Sequence, residues 1–383
     1  MFLAQKRILE KLGRFQIYNF RAFSKIFRRI FHRITRSIRN LTLLFTEGQY
    51  FKFDSETANF HGQKILVVAP GSLPIPPKSW GAVETIVWET SKLYTEQGFE
   101  VWILNTKNMK KWKEAGRDSF DVILCHSDID CPKVKYFWPS TPLIGVSHYG
   151  YAAFPEKWDR RYKEILMNMN CCEFIICLSD SIMKTFEKFV AKEKLIVSPN
   201  GTSFESKYLE IDKNDQIIVL GKIEPRKKQY EIWKNSAQSK LSFIFVGPIV
   251  DARVKREIQK NREVKKIFPG AKTRLELEKE LGSFKALLLL SDGEADALVL
   301  YEAQAVGLPI IVSPQAVGSQ DLGLDWIKII DSFENLNEIA KLLSNVKSSS
   351  LEISLYAKSH YNWKQRNRAL SNLLIEVSRG SKH

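Results

Sequence analysis

The stretch SDGEADALVLYEAQAVGLPIIVS at 291–313 carries two carboxylates, Glu294 and Glu302, with seven residues between them. Glu294 falls in a loop after the apolar run 286–290, and Glu302 is expected to open a helix containing Ala303, Ala305 and Gly307. A carboxylate in a first helical turn can accept hydrogen bonds from vicinal sugar hydroxyls, while the backbone N–H groups just before it can meet a phosphate. An acid there can equally be an ordinary helix-terminal charge. A second stretch, GKIEPRKKQ at 221–229, sets Lys222 directly after a strand and Lys227 five residues on, at the approach to a helix. Two converging cations suit a diphosphate; the plain alternative is a solvated run of Lys222, Arg226, Lys227 and Lys228. In PGSLPIPPKSWGAVE at 70–84, Gly71 and then Trp80-Gly81-Ala82 precede a helical pattern. Glycine lets a phosphate approach backbone N–H groups closely, although an ordinary strand-to-helix turn reads the same way and the three-glycine dinucleotide spacing is absent. Finally, GVSHYGY at 145–151 puts His148 just past a strand. A lone histidine is more often structural than catalytic. No cluster of Asp or His has metal-ligand spacing, so no metal site is expected.

These loops need strands and helices to present them. Short apolar runs recur at 64–70, 99–105, 121–126, 142–148, 173–179 and 194–201, with helical spacing at 83–98. A second series follows at 216–222, 242–248, 284–291, 308–313 and 326–331, with a helical segment at 231–237. Continuous apolar runs alternating with helices are the mark of buried parallel strands. Two such series, joined near 202–214, predict two doubly wound α/β domains whose carboxyl-end loops face one cleft.

Length and composition agree. At about 100–200 residues per domain, 383 residues make two domains with an appendage. A hydrophobic share of 44% and a charged share of 26% support a sizeable core and no long disorder. Five cysteines, with Cys171 and Cys172 adjacent, fit a reducing compartment rather than a disulfide framework. No apolar stretch approaches the roughly 18–20 residues of a bilayer span, and MFLAQKRILEKLGRF is too often interrupted by charge to be a signal peptide. Of the formal net charge of +15, ten units fall within residues 1–40, where eleven Lys and Arg face the single acid Glu10. Phe20, Phe23, Ile26, Phe27, Ile30, Phe31, Ile34 and Ile38 draw one helical stripe, and seven arginines and lysines between 21 and 39 fill the rest of the circumference. Such a helix suits an anionic lipid surface, each basic residue adding about 1 kcal/mol to apolar burial. Packing on the body is the alternative. Nucleic acid is not expected, because phosphate contact has little use for the aromatic stripe.

Taken together, the four loops resemble the retaining, nucleotide-sugar-dependent glycosyltransferases of family 4, which have the two-domain GT-B fold. The resemblance runs from about Lys64 to about Trp363 and is carried by the glutamate pair with EAQAVGLPIIVS, by GKIEPRKKQ, by PNG at 199–201 and by YNW at 361–363. It implies two Rossmann-like domains about a central cleft, outside which the arm lies: residues 1–60 as arm, 61–208 as acceptor-side domain, 209–355 as nucleotide-sugar domain, and 356–383 as a C-terminal helix crossing back. It implies that Lys222 and Lys227 neutralise the donor diphosphate, that Glu302 meets the ribose and Glu294 the transferred sugar, and that His148 sits beside the reacting centre. Gly81, Ala297, Leu298 and Val299 complete the implied donor site. Lys222 stands where the family has arginine, and Ala82 and Ala297 where glycines are common. The implied donor is a nucleoside diphosphate sugar, with no obligatory cofactor, and the implied acceptor is a hydroxyl on a saccharide or lipid-linked saccharide. With the arm, this predicts a cytoplasmic enzyme peripheral on the membrane face through residues 20–39, in envelope or surface polysaccharide or glycolipid synthesis. The competing readings are an epimerase or phosphorylase on the same scaffold, or a non-enzymatic membrane- or nucleic-acid-binding protein.

Overall fold

A computed structural model describes residues 48–380 except 54–61, 205–212 and 335. The arm helix and the lipid-facing stripe expected at 20–39 lie outside the described residues, as does most of the join between the domains.

The first sheet has seven strands: β1 (Gln49–Lys52), β2 (Lys64–Ala69), β3 (Glu100–Asn105), β4 (Val122–Cys125), β5 (Leu143–Val146), β6 (Phe174–Cys177) and β7 (Leu195–Val197). Their order is β1-β3-β2-β4-β5-β6-β7, all neighbours parallel except the antiparallel edge pair β1 and β3. The second sheet is wholly parallel, with β8 (Gln216–Leu220), β9 (Ser242–Val246), β10 (Ala286–Leu289), β11 (Ile310–Val312) and β12 (Ile327–Ile329) in the order β12-β11-β10-β8-β9. Each apolar run of the sequence thus contains a strand. In β10, Leu287 and Leu289 pack on one face of the sheet and Ala286 and Leu288 on the other, all at most 1% exposed. Burying each leucine stabilises by about 1.5–3 kcal/mol, which is why these strands tolerate no polar position.

In both sheets the chain reverses its winding between the first and third parallel strands: β2 against β4, and β8 against β10. Such switch points open a crevice at the carboxyl ends of the strands. The loops beginning at Pro70, His126, Gly221 and Leu290 start there.

Strand β1 lies within residues 1–60, which the sequence reading assigned to the arm. Its four residues, QYFK, are only half-buried and carry no apolar run, so periodicity gave no sign of it. It also has a task. Gln49 donates from Nε2 to the carbonyl of Ile75 (2.7 Å) and accepts at Oε1 from Ile75 N–H and Asn105 Nδ2, both 2.8 Å. Asn105 in turn accepts from Gly71 N–H (2.8 Å) and donates to the carbonyl of Leu73 (2.8 Å). The loop leading to Gly81 is therefore pinned from the sheet edge.

Three helices frame the crevice: α1 (Ala82–Glu96), α2 (Gln229–Ser236) and α3 (Leu298–Ala305). The last, α4 (Arg368–Gly380), buries Leu370, Leu373 and Leu374 in the core of the first sheet, having followed the second sheet in the chain. Ile86 of α1, Leu298 of α3 and Trp363 form a small buried cluster that joins the two halves.

Candidate active site

Between the sheets lies a cleft of about 610 Å³. All nine residues singled out from the sequence line it: Gly81, His148, Lys222, Lys227, Glu294, Ala297, Leu298, Val299 and Glu302. They do not form one network: Lys222, the Lys227–Glu294 pair, Glu302 and His148 each meet different partners.

Lys227 and Glu294 meet directly. Lys227 Nζ and Arg226 Nη1 each lie 3.0 Å from Glu294 Oε1, with the Lys227 and Glu294 side chains only 11% and 10% exposed. Burial would raise the Glu294 pKa; the charges of Lys227 and then Arg226 outweigh it and hold the carboxyl below its usual value. Arg226 also bonds the carbonyl of Gly293 and, through Nη2, Glu224 Oε1 at 2.9 Å. Burial works against its charge, but Glu294 and Glu224 stabilise it and raise its pKa. Lys222 does not touch Glu294; it pairs with Glu224 Oε2 at 2.9 Å and is 40% exposed at the rim. Arg226, seen in the sequence only as part of a charge run, and Glu224 are thus site residues that spacing did not reveal. The turn that aims Lys227 inward ends at Lys228, the only described non-glycine residue with positive φ, 55°, a conformation costing about 1–2 kcal/mol in a residue with a Cβ.

Glu302 does not open its helix. Helix α3 begins at Leu298, so Glu302 lies one turn in, and the first turn holds no acid. The Ala297 N-cap makes no side-chain bond to the helix. A helix start without a side-chain cap leaves N–H groups for a ligand. Arg274 Nη1 donates to Glu302 Oε1 at 2.6 Å, and its guanidinium lies 4.4 Å from the centre of the Phe204 ring. Arg274 is a second residue that the sequence reading missed, 28 positions from its partner.

Asp296, between the two glutamates, fixes the loop to the other half of the molecule. Its Oδ2 accepts from Asn200 N–H at 2.8 Å, its carbonyl accepts from Asn200 Nδ2 at 2.7 Å, and its Oδ1 accepts from Tyr301 Oη at 2.5 Å. Across the opposite rim, Lys157 donates to the carbonyl of Asp292. Gly293 sits so close to that side that an added Cβ would come 2.5 Å from Tyr151 Cδ1.

On the first-domain side, Gly81 precedes α1 at φ 140°, and a Cβ there would stand 2.8 Å from Glu84 Oε2. The positive φ favours glycine, and any side chain would also have to displace Glu84. Glu84 is 5% exposed, and its burial raises its pKa. His148 is bonded to His126, Nε2 to Nδ1, at 2.9 Å. Burial pushes the His148 pKa down to about 4. Among the described residues, no three His, Cys, Asp or Glu side chains converge as metal ligands would, and no helix is long and apolar enough to cross a membrane.

Residues 202–366 match the family described as glycosyl transferases group 1. No curated protein matches the chain in sequence. Among solved structures, that of Anabaena HepE in complex with UDP and glucose superposes with a TM-score of 0.60 at 14% identity, over 82% of this chain and 100% of that one. Sucrose-phosphate synthase from Thermosynechococcus elongatus gives 0.68 at 13% identity, covering 83% and 100%. WaaG, a glycosyltransferase involved in lipopolysaccharide biosynthesis, gives 0.60 at 14% identity, covering 81% and 99%. At such identities the likeness concerns the fold, two facing α/β sheets of the GT-B kind. Residues 202–366 thus carry a group 1 glycosyl transferase domain, set within a chain whose fold is of the GT-B kind.

Proposed function

We propose that the cleft moves a sugar from a nucleoside diphosphate sugar to a hydroxyl of a saccharide or lipid-linked saccharide, with retention at the anomeric carbon. The observation that carries this is the buried contact of Lys227 and Arg226 with one oxygen of Glu294, beside the uncapped start of α3. Three cations, Lys222, Arg226 and Lys227, meet two anions, Glu224 and Glu294, and the surplus positive charge faces a crevice bordered by the start of α3. A diphosphate is the dianion that suits such a place.

In this reading Lys227, with Arg226 and the rim cation Lys222, stabilises the departing diphosphate, joined by the amides at Ala297, Leu298 and Val299. Glu302, oriented by Arg274, accepts from the ribose hydroxyls. Glu294 and His148 orient the transferred sugar, and Gly81 lets its loop close over the phosphates. The bond from the anomeric carbon to the leaving phosphate oxygen breaks while a bond to the acceptor oxygen forms on the same face. The acceptor proton passes to the leaving phosphate, so no side chain is assigned as base. The HepE complex with UDP and glucose supports UDP-glucose as the first donor to try. The lipopolysaccharide role of WaaG supports an envelope saccharide as acceptor. The basic stripe at 20–39 would hold the enzyme on an anionic cytoplasmic membrane face.

The test is a thermal-shift screen against UDP-glucose, UDP-galactose, UDP-N-acetylglucosamine and GDP-mannose, followed by incubation of the best donor with candidate acceptors and NMR of the product's anomeric proton. Stabilisation by one donor and an acceptor-dependent product with the donor's configuration are expected. No stabilisation by any of them, or an epimerised sugar nucleotide formed without acceptor, contradicts the reading.

A further inference from the structure

His148 is held by a second histidine whose surroundings decide what His148 can offer the cleft. The two imidazole centres are 5.2 Å apart and the ring planes differ by 16°. With 2.9 Å between Nδ1 of His126 and Nε2 of His148, those values describe two nearly coplanar rings joined end to end rather than face to face. Both rings are neutral: burial pushes the His148 pKa down to about 4, and burial together with His148 lowers that of His126 well below the usual value. Between two neutral imidazoles one nitrogen must carry the proton and the other a lone pair. The direction of this bond therefore fixes both tautomers.

The far nitrogen of His126 breaks the tie. His126 is 4% exposed, and its Nε2 is buried without a protein partner. It borders a cavity of about 10 Å³, lined also by Trp363 and Asn367 from the segment that returns to the first domain. Trp363 Nε1 and Asn367 Nδ2 are likewise buried without a partner. Both are donors, and the indole nitrogen can be nothing else. A nitrogen lone pair on His126 Nε2 is the acceptor that such a wall requires, either directly or through one water, for which the cavity is just large enough.

We propose that His126 is a positioning residue for His148: with its lone pair turned to Trp363 and Asn367, it donates from Nδ1 to His148 Nε2 and so obliges His148 to present an Nδ1–H donor to the sugar in the cleft. This rests on the reading that His148 faces the transferred sugar. A donor at that point suits a sugar hydroxyl oxygen and leaves His148 unable to act as a base through the same nitrogen.

Imidazole nitrogen-15 NMR of the unliganded full-length enzyme reads the tautomer directly, the His148 signals being identified by their loss in His148→Gln. The expected result is a proton on Nδ1 of His148, kept in His126→Asn, whose amide can still donate, and lost or mixed with the other tautomer in His126→Phe. With the best donor of the screen, kcat in His126→Phe is expected to fall by roughly tenfold or more while the donor KM stays within about twofold, and His126→Asn is expected to restore most of kcat. A proton on Nε2 of His148 in the wild type overturns the proposal, as does wild-type kcat in His126→Phe. Because the wild-type spectrum needs no turnover and no donor, failure here is distinct from failure of the donor screen, which would instead remove the sugar-transfer reading.

Discussion

Lys227 and Lys222 belong to one stretch of sequence yet face different surroundings, and their variants should differ accordingly. Lys227 is 11% exposed and bound to Glu294. Its loss removes a preorganised charge from a dry site, worth roughly 3 kcal/mol of transition-state stabilisation. Lys227→Ala is therefore expected to lower kcat/KM about a hundredfold, measured as nucleoside diphosphate release from the best donor. Lys222 is 40% exposed and paired with Glu224, and exposed pairs contribute little. Lys222→Ala should cost less than about tenfold in the same assay, and Lys222→Arg should be near neutral. Glu294→Gln is expected to destabilise the fold as well as slow it. The substitution leaves Arg226 and Lys227 partly buried against a neutral amide, and breaking such pairs costs about 3–5 kcal/mol when burial is complete. Urea unfolding should show a loss at or below the lower end of that range.

At the scale of elements, the site stands on the turns after β8 and β10 and on the loop at 294–297 that leads into α3, which Asp296 ties to Asn200. Asp296→Ala removes the acceptor for Asn200 N–H and Tyr301 Oη, both buried. A loss of about 3 kcal/mol in urea unfolding is expected, with a lower kcat/KM because Glu294 and α3 lose their anchor. These elements also show what could be read from the sequence. Strands such as ALLL and VILC were legible because burial on both faces demands unbroken apolar runs. The loops after them were legible because the winding puts ligands there. Strand β1 was not, since an edge strand of four half-buried residues needs no pattern of its own. The start of α3 was misplaced because Ala297 offers no cap signal and the apolar LVL before Glu302 reads as strand or helix alike. Arg226, Arg274 and His126 acquire their roles from contacts across 68, 28 and 22 positions, and local spacing carries no trace of such pairings.

At the scale of the whole molecule, two halves share a crevice whose ionised and neutral groups tie stability to pH. His148 is neutral when folded down to about pH 4, and burial together with His148 holds His126 well below its usual value, whereas both titrate near 6.5 in the unfolded chain. Between those limits the unfolded state binds more protons, so stability should fall as the pH drops from about 6.5 toward 4, by up to about 1.4 kcal/mol per pH unit for each histidine. Glu294 and Glu224, held below the usual carboxylate value by their cations after burial has pulled the other way, add stability that is complete above their unfolded pKa and vanishes further into acid. Urea midpoints across that range test both slopes, and a flat profile above pH 5 would remove the neutral histidine pair. The central claim, that the crevice is built around a nucleoside diphosphate, is tested most directly by titration calorimetry of UDP and uridine into the wild type and Lys227→Ala. UDP is expected to bind the wild type far more tightly than uridine, and most of that advantage should disappear in the variant while uridine binds as before. Equal affinity of the wild type for UDP and uridine, or an unchanged UDP advantage without Lys227, would contradict it.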